Sequence, residues 1–194
     1  MFTRELYKHP RTIIPSMTIV NWAGFGNQPD GDTVEIISNS ASDTGLCTIW
    51  GSDKITGALC HETVTLTGTD AVTTVKTNWD DIYSILLGDA LGNNITPAVG
   101  TITFREGSTN GAITTITAGV FNAGMFFISG VGSNVEIHNA SGKIYWNVGK
   151  VCTATNGLYH DGVTFKQFNI GVRDYLSIIS DNSGCATQIV VMED

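Results

Sequence analysis

Charge, cysteine, proline and long apolar runs are all scarce in this chain. Only 14% of its 194 residues are charged, against 42% hydrophobic, the reverse of the balance that keeps a chain disordered. No apolar run approaches the roughly 18 residues that span a bilayer as a helix, so no membrane partner is expected. The four cysteines, Cys47, Cys60, Cys152 and Cys185, are too few for a disulfide scaffold and form no C-x-x-C pair for zinc. They read as buried free thiols; a Cys47–Cys60 bridge across a hairpin is the alternative. Residues 1–10 show neither an apolar stretch of roughly 7–15 residues nor a small-residue cleavage site, so a secretory signal is not expected.

Residue patterns that carry chemistry are equally thin. None of the histidines, His9, His61, His138 and His160, stands in a nucleophile context, and there is no G-x-S-x-G elbow. In Cys60-His61-Glu62, strand geometry would put Cys60 and Glu62 on one face and His61 on the other, which reads as a solvated histidine. The adjacent Asp80-Asp81 reads as a cap or a solvated pair rather than as glycosidase carboxylates. Asp30-Gly31-Asp32 opens like a calcium loop but lacks the later ligands. Gly124, Gly130 and Gly132 do not make a phosphate-binding fingerprint. No catalytic residue, metal site or cofactor is expected, and an enzyme is the weakest reading.

The net charge is -8, a field that repels polyanions, so nucleic acid is not an expected partner. Residues 1–11 run against that average, with Arg4, Lys8 and Arg11 against Glu5. Phe2, Leu6 and Tyr7 interleave with these cations. Such a segment would gain by docking on an acidic neighbour, and the candidate partner-binding residues are therefore Phe2, Arg4, Leu6, Tyr7, Lys8 and Arg11. The alternative is a first strand paired within its own domain, or a frayed terminus.

Threonine (25) and glycine (22) dominate, and threonine favours pleated, half-buried surfaces over helices. Alternation is plain in Glu62-Thr63-Val64-Thr65-Leu66-Thr67 and in Thr101-Ile102-Thr103-Phe104. Such segments recur every 8 to 15 residues or so, between turn signals such as Pro29-Asp30-Gly31 and Thr109-Asn110-Gly111. Only residues 78–87 could hold a helical turn, with Asn78 as its cap, and Ile82, Ile85 and Leu87 serve a strand about as well. The expected fold is all-β: an antiparallel, jelly-roll-like β-sandwich in one or two domains. The expected divisions are an extended N-terminal arm (1–16), a sandwich domain (17–118) and a second β region (119–194). Val34-Glu35-Ile36 followed by Ile49-Trp50 echoes Val135-Glu136-Ile137 followed by Ile144-Tyr145-Trp146, the mark a decayed duplication would leave. Among the aromatics, Trp50 and Trp146 read as core. Trp22, in a glycine-rich loop, reads as the exposed one of the four tryptophans, Trp22, Trp50, Trp79 and Trp146, that with Tyr83, Tyr145 and Tyr159 are the candidates for a sugar platform.

Four stretches carry a resemblance. Asp43-Thr44-Gly45 leading to Ile49-Trp50-Gly51, then Glu62 through Thr69, then Val72-Thr73-Thr74, then Gly100-Thr101-Ile102-Thr103-Phe104 resemble a Thr-rich pattern in tailed-bacteriophage structural proteins, over residues 33–107. The resemblance implies a virion protein of the capsid cement or decoration type. It would be made in the host cytoplasm, sit on the capsid surface, bind the major capsid protein and associate with itself, commonly as a homotrimer. It carries over no catalytic residue. The competing reading is another virion part, in the neck, tail or fibre, or a glycan-binding attachment module. On the cement reading, removing residues 1–15 is expected to leave the fold intact and weaken attachment to the particle.

Overall fold

A computed structural model describes residues 10–19, 24–129, 134–161, 164–171, 174–180 and 185–192. The described residues contain sixteen strands and no helix. In chain order they are β1 (Pro10–Ile19), β2 (Val34–Ser38), β3 (Leu46–Asp53), β4 (Leu59–Thr65), β5 (Val72–Thr73), β6 (Trp79–Leu86), β7 (Ile102–Glu106) and β8 (Ala112–Ile116). They continue with β9 (Asn122–Gly124), β10 (Phe126–Ser129), β11 (Asn134–Asn139), β12 (Lys143–Val148), β13 (Leu158–Asp161), β14 (Thr164–Asn169), β15 (Tyr175–Ser180) and β16 (Cys185–Met192).

All pairings are antiparallel and fall into four four-stranded sheets: β5-β2-β7-β8, β4-β3-β6-β9, β1-β16-β11-β14 and β10-β15-β12-β13. The first two make an N-terminal lobe and the last two a C-terminal lobe. Counted as β8, β9 and then β2 to β7, the N-terminal lobe pairs its first and third strands with its eighth, and its second and fourth with its seventh. The third also pairs with the sixth, and the fourth with the fifth. Counted as β1, β10 and then β11 to β16, the C-terminal lobe repeats every one of these pairings. This is the jelly-roll order, twice.

Alternation explains which side chains fill the lobes. In β2 the burial pattern alternates, with Val34 and Ile36 fully buried. Ile102 and Phe104 do the same in β7. They share one apolar cluster with Cys47, Ile49, Trp79, Ile82 and Ile85 of the other sheet. Trp79 is fully buried and its indole N–H donates to Thr74 Oγ1 at 3.2 Å. In the C-terminal lobe Val135, Ile137, Ile144, Leu176, Ile178 and Ile189 join the same cluster. Cys47 and Cys152 are buried and Cys60 half-buried, all three free. Burial pushes the Cys47 thiol up, and that of Cys152 up to about 12. Cys47 lies opposite Val64 and Cys60 opposite Gly51, so the two are not bridged across the hairpin.

The stretch that the sequence left open between a helical turn and a strand, residues 78–87, is a strand over Trp79–Leu86, because Ile82 and Ile85 are needed in the core between β3 and β9. The sheets of the N-terminal lobe end with β9, and those of the C-terminal lobe resume with β10. Of the arm expected over residues 1–16, residues 10–16 lie in β1, hydrogen-bonded along β16. Thr12, Ile13 and Ile14 suit a strand, and Pro10 and Pro15 are tolerated because β1 is the sheet's edge.

One buried carboxylate ties the loops at one end of the N-terminal lobe. Asp43 accepts hydrogen bonds from Ser38 Oγ, from the Val99 N–H at 2.8 Å and from the Gly100 N–H at 3.0 Å. Burial pushes this carboxyl up, but the three donors outweigh it, and it ionises below the usual carboxylate range. A lowered folded-state pKa contributes stability above the unfolded value, near pH 4, that is lost as pH falls through the folded value. Asp43→Asn is therefore expected to cost about 1–3 kcal/mol at neutral pH. It should also flatten the acid limb of the stability curve between about pH 5 and 2, measured by urea unfolding across that range.

Candidate interaction surface

At the opposite end of the N-terminal lobe two loops present the chain's most exposed large aliphatic side chains among the described residues. Ile55, between β3 and β4, is 81% exposed, and Val75, between β5 and β6, is 88% exposed. Both loops are pinned to one carboxylate, Asp53. Its Oδ1 accepts the N–H groups of Ile55 at 2.9 Å and Thr56 at 2.8 Å. Its Oδ2 accepts from Lys76 Nζ and from Asn78 Nδ2, the latter at 2.8 Å. The Lys76 ammonium, then the backbone donors, hold the Asp53 carboxyl well below its ordinary value. Glu62 in β4 accepts the N–H groups of Val75 at 2.6 Å and Lys76 at 2.9 Å. The loop conformation is thus set by carboxylate–backbone bonds, and the aliphatic side chains stand out from a fixed frame.

The rim of this surface is acidic. Lys54 bridges Asp30 at 2.6 Å and Asp80 at 3.1 Å, which raise its pKa, Asp30 first. Asp81 beside them is exposed. The adjacent acidic residues that the sequence suggested as a cap or solvated pair therefore sit at a strand start, one of them ion-paired.

An aromatic stack joins the lobes. Trp50 projects from β3, is 2% exposed, and stacks on Phe127 of β10 with ring centroids 5.4 Å apart. On it also lie His61 at 4.4 Å and Tyr175 of β15 at 6.2 Å. Phe127 and Tyr175 stack at 5.5 Å. His61 is exposed, as a solvated histidine would be, and the side that packs on this stack lowers its pKa through partial burial. The chain crosses between lobes beside the stack, from β9 to β10. Gly124 there has φ +78°, and a Cβ would meet the Tyr83 carbonyl and, at 2.8 Å, the Phe25 ring. The Met125 N–H bonds to the Tyr83 carbonyl at 3.0 Å, and the Ser129 N–H to the Ala90 carbonyl at 2.7 Å. The equivalent of the Trp50–His61 cross-strand pair in the C-terminal lobe is Tyr145–Tyr159, centroids 6.2 Å apart, with Lys143 Nζ 4.4 Å from the Tyr159 ring.

Of the residues singled out from the sequence, Phe2, Arg4, Leu6, Tyr7, Lys8 and Trp22 lie outside the described residues, and Arg11 lies in β1. Among the described residues no three His, Cys, Asp or Glu side chains come together as a group that could hold a metal ion. Ile55 and Val75 were missed, because an isolated aliphatic beside a turn carries the same signal as a core residue at a strand end. No protein-family model, curated protein or solved structure matches the chain.

Proposed function

We propose that this chain is a virion structural protein of the capsid cement or decoration type, which binds the major capsid protein lattice and stiffens it. The observation that carries the reading is a pair of jelly rolls tied in one chain: β2 to β9 build the N-terminal lobe, and β1, which precedes it, seals the C-terminal one. The lobes are therefore joined by the β1 ladder as well as by the β9–β10 crossover, which suits a protein that bears load. Jelly rolls serve in viral capsid and lectin domains alike, and fold alone does not choose between them. The Thr-rich stretches that resemble tailed-phage structural proteins lie in β2 to β7 and their loops.

The Asp53-pinned tip suits a lattice contact. Ile55 and Val75 supply apolar knobs that cost little entropy to fix on binding, because their loops are already held. The acidic rim favours a basic partner surface. Shell proteins that bind at many equivalent sites also gain from multivalency, which turns weak single contacts into durable attachment. The glycan-attachment reading has the Tyr145–Tyr159 pair in its favour, with Tyr159 59% exposed.

The test compares particles made with and without this chain. Particles lacking it should release their DNA at a lower temperature, and adding the purified chain should restore the difference. The Ile55→Asp/Val75→Asp double variant should keep its own thermal midpoint but bind particles at least tenfold more weakly. Equal DNA release with and without the chain would contradict the cement role.

A further inference from the structure

The lobes share a topology but not a chain order. All eight strands of the N-terminal lobe, β2 to β9, run consecutively, and the strand that seals it, β8, directly follows β7 in the chain and pairs with it. The C-terminal lobe takes seven consecutive strands, β10 to β16, and its equivalent sealing strand, β1, comes from the far side of the N-terminal lobe. That strand alone in the chain is detached in sequence from the sheet it completes.

We propose that β1 is an exchangeable donor strand, through which one copy of this chain closes the C-terminal lobe of a second copy, head to tail. Four observations support the exchange. Strand β1 stands at the edge of its sheet with β16 as its partner. It is separated in sequence from the next strand of that lobe, β10, by the whole N-terminal lobe. Its ladder carries two register shifts, at Pro10/Thr12 and Ile14/Met17, where the equivalent β7–β8 ladder carries one. The exchanged ladder contains the same residue pairs as the closed one, so exchange sacrifices no strand contact; chain concentration and the β1–β2 connection set the balance. Residues 27 and 28 of that connection are fixed to the N-terminal lobe: Asn27 Nδ2 donates to the Ala112 carbonyl at 2.8 Å, and the Gln28 amide bonds Ile82. The donor strand is thus carried on a firm base. The inference concerns the isolated chain and stands apart from any binding to particles.

A native cysteine provides the test. Ile19 and Cys185 are Cα partners across the β1–β16 ladder, within the range a disulfide spans. Ile19→Cys/Cys185→Ser is unfolded together with an equal amount of wild-type chain carrying a longer tag, refolded at high concentration and oxidised. Exchange predicts a disulfide-linked species of the summed mass on a non-reducing gel, absent when the partner is Cys185→Ser. The single variant Ile19→Cys, refolded alone, should give a ladder of two or more linked chains that grows with concentration. If Ile19→Cys locks only within single chains at every concentration, and no mixed species forms, the proposal is overturned. Sedimentation of the unsubstituted chain after the same refolding gives a second reading. Species of two or more chains support exchange, and a monomer at all concentrations contradicts it.

Discussion

Deleting residues 1–19 should unfold the C-terminal lobe and leave the N-terminal lobe intact. The deletion strips β16 of the partner that pairs with it from Cys185 to Met192. Each lost backbone hydrogen bond is worth about 0.5–1.5 kcal/mol net, and Ile189 and Thr187, now buried, would be opened to water. Against a net stability of about 5–15 kcal/mol for a whole domain, removing an entire edge strand takes most of what holds one lobe. The N-terminal lobe closes through β8 and does not use β1. Hydrogen exchange should show protection lost across β11 to β16 and kept across β2 to β8. A synthetic peptide of residues 10–19 should restore it. Uniform protection after the deletion would return residues 10–19 to the role of a dispensable arm.

Trp50→Ala should separate the two lobes as cooperative units. A buried tryptophan cut to alanine costs about 3–5 kcal/mol, and here the lost contacts lie on both sides of the joint: His61 in the N-terminal lobe, Phe127 and Tyr175 in the C-terminal one. The indole N–H has no hydrogen-bond partner among the described residues, so ring area and stacking carry the contribution. Trp50→Phe should then retain most of it. Scanning calorimetry is expected to show one transition for the unsubstituted chain and for Trp50→Phe, and two for Trp50→Ala. A single transition in Trp50→Ala would mean that the β1 ladder and the β9–β10 crossover couple the lobes without the aromatic stack.

Strand content and the jelly-roll-like sandwich were legible in the sequence because alternation is local. Val64 and Leu66 turn inward as their spacing implies, and the Thr67 to Gly68 turn follows. The echoed segments fall on equivalent strands, Val34-Glu35-Ile36 on β2 and Val135-Glu136-Ile137 on β11, Ile49-Trp50 on β3 and Ile144-Tyr145 on β12. Strand pairing was not legible, because hydrogen bonding between Ile14 and Ile189 leaves no mark on either neighbourhood. The seam between lobes was hidden for a related reason. Trp50 does read as buried, but its burial against Phe127 rather than inside the sandwich depends on which face of β3 the second lobe covers. The pinned tip that carries Ile55 and Val75 escaped because Asp53, Glu62 and Lys76 look like ordinary surface charge until the fold brings their loops together.

The measurement that bears most directly on the cement role is quantitative mass spectrometry of purified particles, counting copies of this chain against copies of the major shell protein. A lattice-wide cement predicts a ratio near one, or a simple fraction set by three-fold positions. A dozen or so copies would move the chain to the neck, tail or fibres, and its absence from particles would contradict the virion reading altogether.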